Sequence, residues 1–249
     1  MDVREIATGA RGVINTAALA QKENGLGFKP FNQYLMGYDA AYDDWLEKGM
    51  CRGLSIKYLA CVKNGEEFTD IVTTASMNKF TYTKDNYRID NPLHQEIYNA
   101  SIEGNVHGGD DKAFCDYVKT TYGLNKDKSQ VFKDGKAATV KGAFEFAAHD
   151  GCYSIVSFPR HALAVVGVKD IKHFLEPNCG IIIGPKEPFL AAIDAFFSHQ
   201  FVQRIYKMTD RRSRSGSTAS RPEPVAIVTR VAHPTQRPRS SDRSSFSLP

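Results

Sequence analysis

Between residues 151 and 184 the chain carries four short apolar runs, GCYSIVSF, HALAVVGV, KHFLEPN and CGIIIG, set apart by Pro, Gly and charged turn residues. Each is β-branched or alternates in polarity, the pattern of a strand. The gaps between them are far shorter than the roughly 10 to 12 residues a parallel crossover needs. Strands this close in sequence must turn straight back, so the stretch predicts an antiparallel sheet. The chain before it has a different texture. LMGYDAAYDDWLEK (35–48) predicts a helix. CRGLSIKYLACVKNG predicts a second, with Leu54, Tyr58 and Cys61 or Val62 recurring at steps of three to four residues and Gly65 as its stop. Residues 66–150 predict a helical lobe or insert through DDKAFCDYVKTTYG and TVKGAFEFAAHD, with Asp110 or Thr139 as caps. After the strands, EPFLAAIDAFFSHQFVQRIY predicts one closing amphipathic helix, with Phe189, Ile193, Phe196 or Phe197, Phe201 and Ile205 near one face. Helices first and sheet second argue an α+β fold rather than a doubly wound parallel one.

The hydrophobic fraction of 42% over 249 residues is enough for a sizeable core. Five cysteines, Cys51, Cys61, Cys115, Cys152 and Cys179, are odd in number and widely spread, without C-x-x-C pairs or zinc-like spacing, so free thiols and no metal are expected. No apolar stretch approaches the roughly 20 residues that cross a bilayer. MDVREIATGARG lacks the layout of a secretory signal, and Asp2 stands where N-myristoylation needs glycine. A cytosolic working site is expected. The charge is uneven: residues 1–207 carry 24 Lys+Arg against 25 Asp+Glu, whereas 208–249 carry 8 against 3, and those eight are all Arg. Residues 208–249, rich in Arg, Ser and Pro, are expected to be a disordered tail whose one apolar run, VAIVTRVA, is too short to form a core of its own. Without interleaved aromatics the tail implies no specific nucleic acid, and at most weak contact with an anionic surface.

The thiol of Cys51 opens the second predicted helix, between Gly49 and Gly53, where two residues without side chains let other groups approach the backbone closely. A helix N-terminus favours thiolate over thiol. Acyl transfer from such a sulfur needs an imidazole in reach and a third group to hold it. Of seven histidines His161 fits best, opening the strand HALAVVGV after the turn FPR. Glu176, fifteen residues on in FLEPN, lies near the end of the next strand, where an antiparallel neighbour brings the two side chains together.

GMCRGLS, RHALAVVGV and FLEPNCG, with gaps of 110 and 15 residues between Cys51, His161 and Glu176, resemble the three motif blocks of the YopT/AvrPphB-type cysteine protease effectors, a branch of the papain-like fold. The resemblance spans about residues 45–200 and implies a papain-like cysteine protease domain over 1–207, with a helical lobe followed by an antiparallel sheet lobe. It implies Cys51 as nucleophile, His161 as general base and then acid, and Glu176 as orienting group, with no cofactor. It also implies delivery by bacteria into a host cytosol and a host protein substrate such as a small GTPase or kinase. The chain departs from the family at the third position, where the pattern has Asp. Asn178, of the type papain uses, is the alternative orienter. The Cys51 backbone N–H supplies one oxyanion donor. Asn32 and Gln33 are candidates for the second, since Trp45 occupies the position six before Cys51 where papain has Gln.

Two other readings share these residues: a catalytically impaired relative that binds a host protein through the same cleft, and a deamidase or acyltransferase using the same Cys-His site. His94, His107, His149, His173 and His199 lack metal-ligand spacing and are expected to be structural, and NGLGF lacks the ending of a phosphate loop.

Overall fold

The structure, a computed structural model, describes residues 3–31, 33, 50–68, 96–97, 99–101, 111–132, 137–158, 161–206 and 226–232. The helices are α1 (Val3–Leu19), α2 (Cys51–Asn64), α3 (Asp111–Tyr122), α4 (Ala137–Ala147), α5 (Lys186–Ser198) and α6 (Gln200–Ile205). The strands are β1 (Gly27–Pro30), β2 (Asn125–Phe132), β3 (Cys152–Phe158), β4 (His161–Val168), β5 (Ile171–Glu176), β6 (Gly180–Pro185) and β7 (Ala226–Ala232). They form one sheet in the order β1-β6-β5-β4-β3-β7-β2, with every neighbouring pair antiparallel.

The meander β3 to β6 follows the four apolar runs to within a residue or two. These runs are apolar on both sides because both faces of the sheet are covered. Ile155, Ala164, Val166 and Leu175 point toward Leu54, Tyr58 and Leu59 of α2. Val156, Leu163, Val165 and Phe174 point the other way, toward Ile14 of α1, Phe144 of α4 and Phe189, Phe196 and Phe197 of α5. The strand period of two thus divides the interior into two cores. α2 begins at Cys51 and ends as expected at Gly65, whose left-handed φ of 72° places its N–H on the last carbonyls of the helix.

Four expectations need correction. Residues 226–232 lie in the segment expected to be disordered, yet they form β7 between β3 and β2. Their run cannot make a core alone, but it completes an existing one: Ala226 and Val228 are buried in the α5-side core while Ile227, between them, is 38% exposed. Arg230, read as part of a solvated basic tail, donates to the Phe146 carbonyl and lies 3.6 Å above that residue's ring. The remainder of 208–249 lies outside the described residues.

The stretch 66–150, read as helical, contributes β2, and β1 precedes α2, so the sheet does not come only from the C-terminal half. β2 (NKDKSQVF) has too many charges to read as a strand, and its pairing partner is β7, about a hundred residues away in sequence. The closing helix is two helices, because His199 is extended (φ −71°, ψ 128°) and its ring accepts the Phe201 N–H at 3.2 Å, capping α6. Thr139 falls inside α4 and therefore does not cap it. Asp110 and the predicted helix 35–48 lie outside the described residues.

Candidate active site

Cys51 is the first residue of α2, whose opening turn closes through Leu54 N–H to Met50 O at 2.9 Å. The buried Ser55 hydroxyl lies 2.7 Å from the Cys51 carbonyl and 3.2 Å from that of Ala162, so one proton ties the start of α2 to the start of β4. The Ala162 N–H in turn donates to the Cys51 sulfur. Gly53 also serves this seating, though not by leaving room for a substrate. A Cβ there would stand 2.0 Å from the Ile97 carbonyl oxygen and 2.4 Å from the Ser101 hydroxyl, which accepts the Gly53 N–H at 3.0 Å. The missing side chain is required by a close backbone crossing within the fold. Gly49 lies outside the described residues.

His161 opens β4 opposite Phe158. Its Nε2 is 2.5 Å from Glu176 Oε1, which leaves Nδ1 as the nitrogen available to Cys51, its hydrogen-bond partner on the other side. The β4–β5 register pairs Ala164 with Leu175. Continued past the last paired residues, it sets Asn178 opposite His161 and makes Glu176 the diagonal neighbour on the same face. The Glu176 side chain spans that diagonal.

Glu176 is fully buried, and both of its oxygens have donors. Oε1 accepts from His161 and from the Tyr206 hydroxyl at 2.8 Å, and Oε2 accepts the Asn178 N–H at 2.9 Å. A buried carboxylate persists as an ion only when its lone pairs are filled in this way. Asn178 makes no hydrogen bond to His161; its Oδ1 accepts from Gln33 Nε2 at 2.5 Å. Gln33, only 4% exposed, also donates its N–H to the Pro177 carbonyl at 2.7 Å, and its Oε1 has no hydrogen-bond partner among the described residues. Asn32 and Trp45 lie outside the described residues.

Charge completes the arrangement. Burial alone would push the Cys51 thiol up, but the charge and hydrogen bond of His161, the Ala162 N–H and the Arg52 charge outweigh it and leave the thiol below its ordinary value. Burial alone would pull His161 down, but the charges and hydrogen bonds of Cys51 and Glu176 push it up to about 10. The two shifts have opposite signs and a common cause: each group favours the charged form of the other. The pair is recessed, with Cys51 6% exposed and the His161 side chain 9%.

The sequence reading missed two contributors, Ser55 and Tyr206, because each acts only through a tertiary contact that no local pattern signals. Three of the other histidines have structural partners: His173 with the Tyr58 hydroxyl, His149 with the Asp150 carbonyl, and His199 as a cap. Among the described residues no group of His, Cys, Asp and Glu could hold a metal ion, and no helix is long and apolar enough to cross a membrane. Two small cavities, of about 200 and 160 Å³, lie at Lys172 and at Tyr58, and neither is lined by Cys51.

No protein-family model matches the chain, and no curated protein matches it. Among solved structures the chain is similar to the Pseudomonas avirulence protein AvrPphB, with a TM-score of 0.48 and 13% sequence identity, over 78% of this chain and 95% of that one.

Proposed function

We propose that this chain is a cysteine hydrolase that cleaves peptide bonds, with Cys51 as nucleophile, His161 as proton carrier and Glu176 as the group that orients it. The observation that carries the reading is the continuous line of contacts from the α2 N-terminal thiol through His161 to a fully buried carboxylate. A packing cysteine is held inert by burial; this one is shifted toward thiolate against its burial.

The thiolate attacks the carbonyl carbon of a peptide bond and forms a C–S bond, with the carbonyl electrons moving to oxygen. The Cys51 N–H, at the first turn of α2, donates to that developing oxyanion. Collapse breaks the C–N bond as imidazolium Nδ1–H gives its proton to the leaving amine, leaving a thioester and a neutral imidazole. Nδ1 then takes a proton from water, hydroxide adds to the thioester, and the thiolate departs from a carboxylic acid product. Throughout, Nε2–H stays on Glu176, which holds the tautomer and ring plane. By the motif resemblance the substrate class is a host protein reached after bacterial delivery, within a papain-like domain.

The test is iodoacetamide labelling read cysteine by cysteine, paired with a search for new protein N-termini in a treated lysate. Fast labelling confined to Cys51 and lost in His161→Ala, with new N-termini that a Cys51→Ala variant does not generate, is the expected result. Slow, even labelling of all five cysteines would overturn the reading. Peptide masses shifted without chain cleavage would replace proteolysis with deamidation.

A further inference from the structure

Tyr206 belongs to no motif in the sequence, yet its hydroxyl lies on the same Glu176 oxygen that His161 holds. It stands one residue past α6 and reaches this point because the helical run breaks at His199, which turns α6 away from the line of α5. Its ring lies 5.0 Å from the His161 ring at an interplanar angle of 35°, and it also packs against Phe158, Phe196 and Phe197. Only 4% of the residue is exposed. Phenylalanine would fill this space equally well; what tyrosine adds is an O–H donor on a buried anion.

The groups facing Glu176 are His161 from β4, Tyr206 from the end of α6, and the Cys179 thiol and Asn178 N–H from the β5–β6 turn. Cys51 of α2 lies beyond His161, and Arg11 of α1 acts on Cys179. Burial and the Glu176 charge hold the Tyr206 ionisation well above the ordinary tyrosine value, so its proton stays in place through the working range.

We propose that Tyr206 is a positioning residue for the Cys51–His161 pair: its hydroxyl holds the Glu176 carboxylate in the rotamer that reaches diagonally to His161, and its ring keeps the imidazole from turning. The proposal rests on the cysteine hydrolase reading above. A carboxylate that has lost this donor is held less firmly against the imidazole, so His161 supports the Cys51 thiolate less well and protons compete for the sulfur at higher pH.

Tyr206→Phe removes only the hydroxyl. The rate of Cys51 alkylation by iodoacetamide, followed from pH 4 to 9, is expected to keep its plateau. Its acid limb should move up by about one pH unit, roughly a tenfold loss on that limb, as befits one hydrogen bond to a charged group. Tyr206→Phe in a Glu176→Gln background should then change nothing further. Phe196→Leu, in the same aromatic stack but away from Glu176, should lower the melting temperature and leave the pH profile in place. A Tyr206→Phe profile superimposable on the native one, or an equal shift in the Glu176→Gln background, would overturn the proposal. The proton resonance of His161 Nε2–H gives a readout independent of Cys51 chemistry: it should move in Tyr206→Phe, and an unmoved resonance would count against the proposal. A moved resonance with an unreactive Cys51 would instead sink the hydrolase reading alone.

Discussion

Glu176→Gln preserves the shape of the buried side chain and removes its charge. In the native site one carboxylate oxygen serves His161 and Tyr206 and the other serves the Asn178 N–H. An amide cannot do both: with its oxygen toward His161, its NH2 meets the Asn178 N–H donor against donor. The lost charge has the larger effect on reactivity. Opposite charges about 4 Å apart attract by roughly 4 kcal/mol at an effective dielectric constant near 20, equivalent to about three powers of ten in proton affinity. His161 sits at about 10 with Cys51 and Glu176 both beside it. Without Glu176 it should fall toward its ordinary range, and the proton held by the imidazole should return to sulfur.

Since Cys51 and His161 go on supporting one another when Glu176 is neutral, the observable loss is smaller than that ceiling. We expect Cys51 alkylation at pH 6.5 to slow by about 100-fold, recovering only as pH rises through the ordinary thiol range near 8.5, where direct ionisation supplies thiolate. Stopped-flow alkylation across pH 5–9, with thiolate absorbance in the near ultraviolet as a second signal, measures it. A rate within about threefold of native at pH 6.5, less than 1 kcal/mol, in a variant that is folded would refute the claim that the carboxylate governs the pair.

Val228→Thr, which keeps volume and β-branching but buries a hydroxyl in the core between β7 and α4, should cost about 2 kcal/mol and lower the melting temperature by roughly 4–8 °C. Ile227→Thr on the exposed face should stay within about 1 kcal/mol of native, and equal indifference at both positions would mean that β7 is not in the sheet. Gly53→Ala should destabilise strongly, because its Cβ collides with backbone at Ile97, whereas Gly12→Ala on α1, with nothing within 4 Å, should stabilise by about 0.5–1 kcal/mol; urea midpoints rank the two. pH linkage gives a further expectation. The raised His161 value contributes stability that is complete below the unfolded histidine value and lost as pH climbs toward about 10. The lowered Cys51 value contributes stability present above the unfolded thiol value and lost as pH falls through the folded one. Above the unfolded thiol value near 8.5 the unfolded pair has lost both protons while folded His161 keeps its own, so stability declines as pH climbs toward about 10, measurable as the urea-midpoint difference between native protein and a Cys51→Ala/His161→Ala variant.

The meander β3 to β6 could be read from the chain because each strand carries its own apolar alternation and each turn its own Gly, Pro or charge. β2 and β7 could not. The charges of β2 and the Arg/Ser/Pro surroundings of β7 outweigh their few apolar residues in any local window; β2 becomes a strand because β7 lies beside it, and β7 because β3 and β2 flank it. The same contrast runs through the site. Cys51, His161 and Glu176 carry a spacing, so residue type and order brought them together before any coordinates did. Tyr206 has no spacing to declare: it reaches Glu176 only because one residue, His199, leaves the helical region and redirects the last six-residue helix. Glu176 fits the register as well. His161 and Glu176 are diagonal rather than directly opposed, and the carboxylate, held from behind by a tyrosine, crosses that diagonal to meet the imidazole.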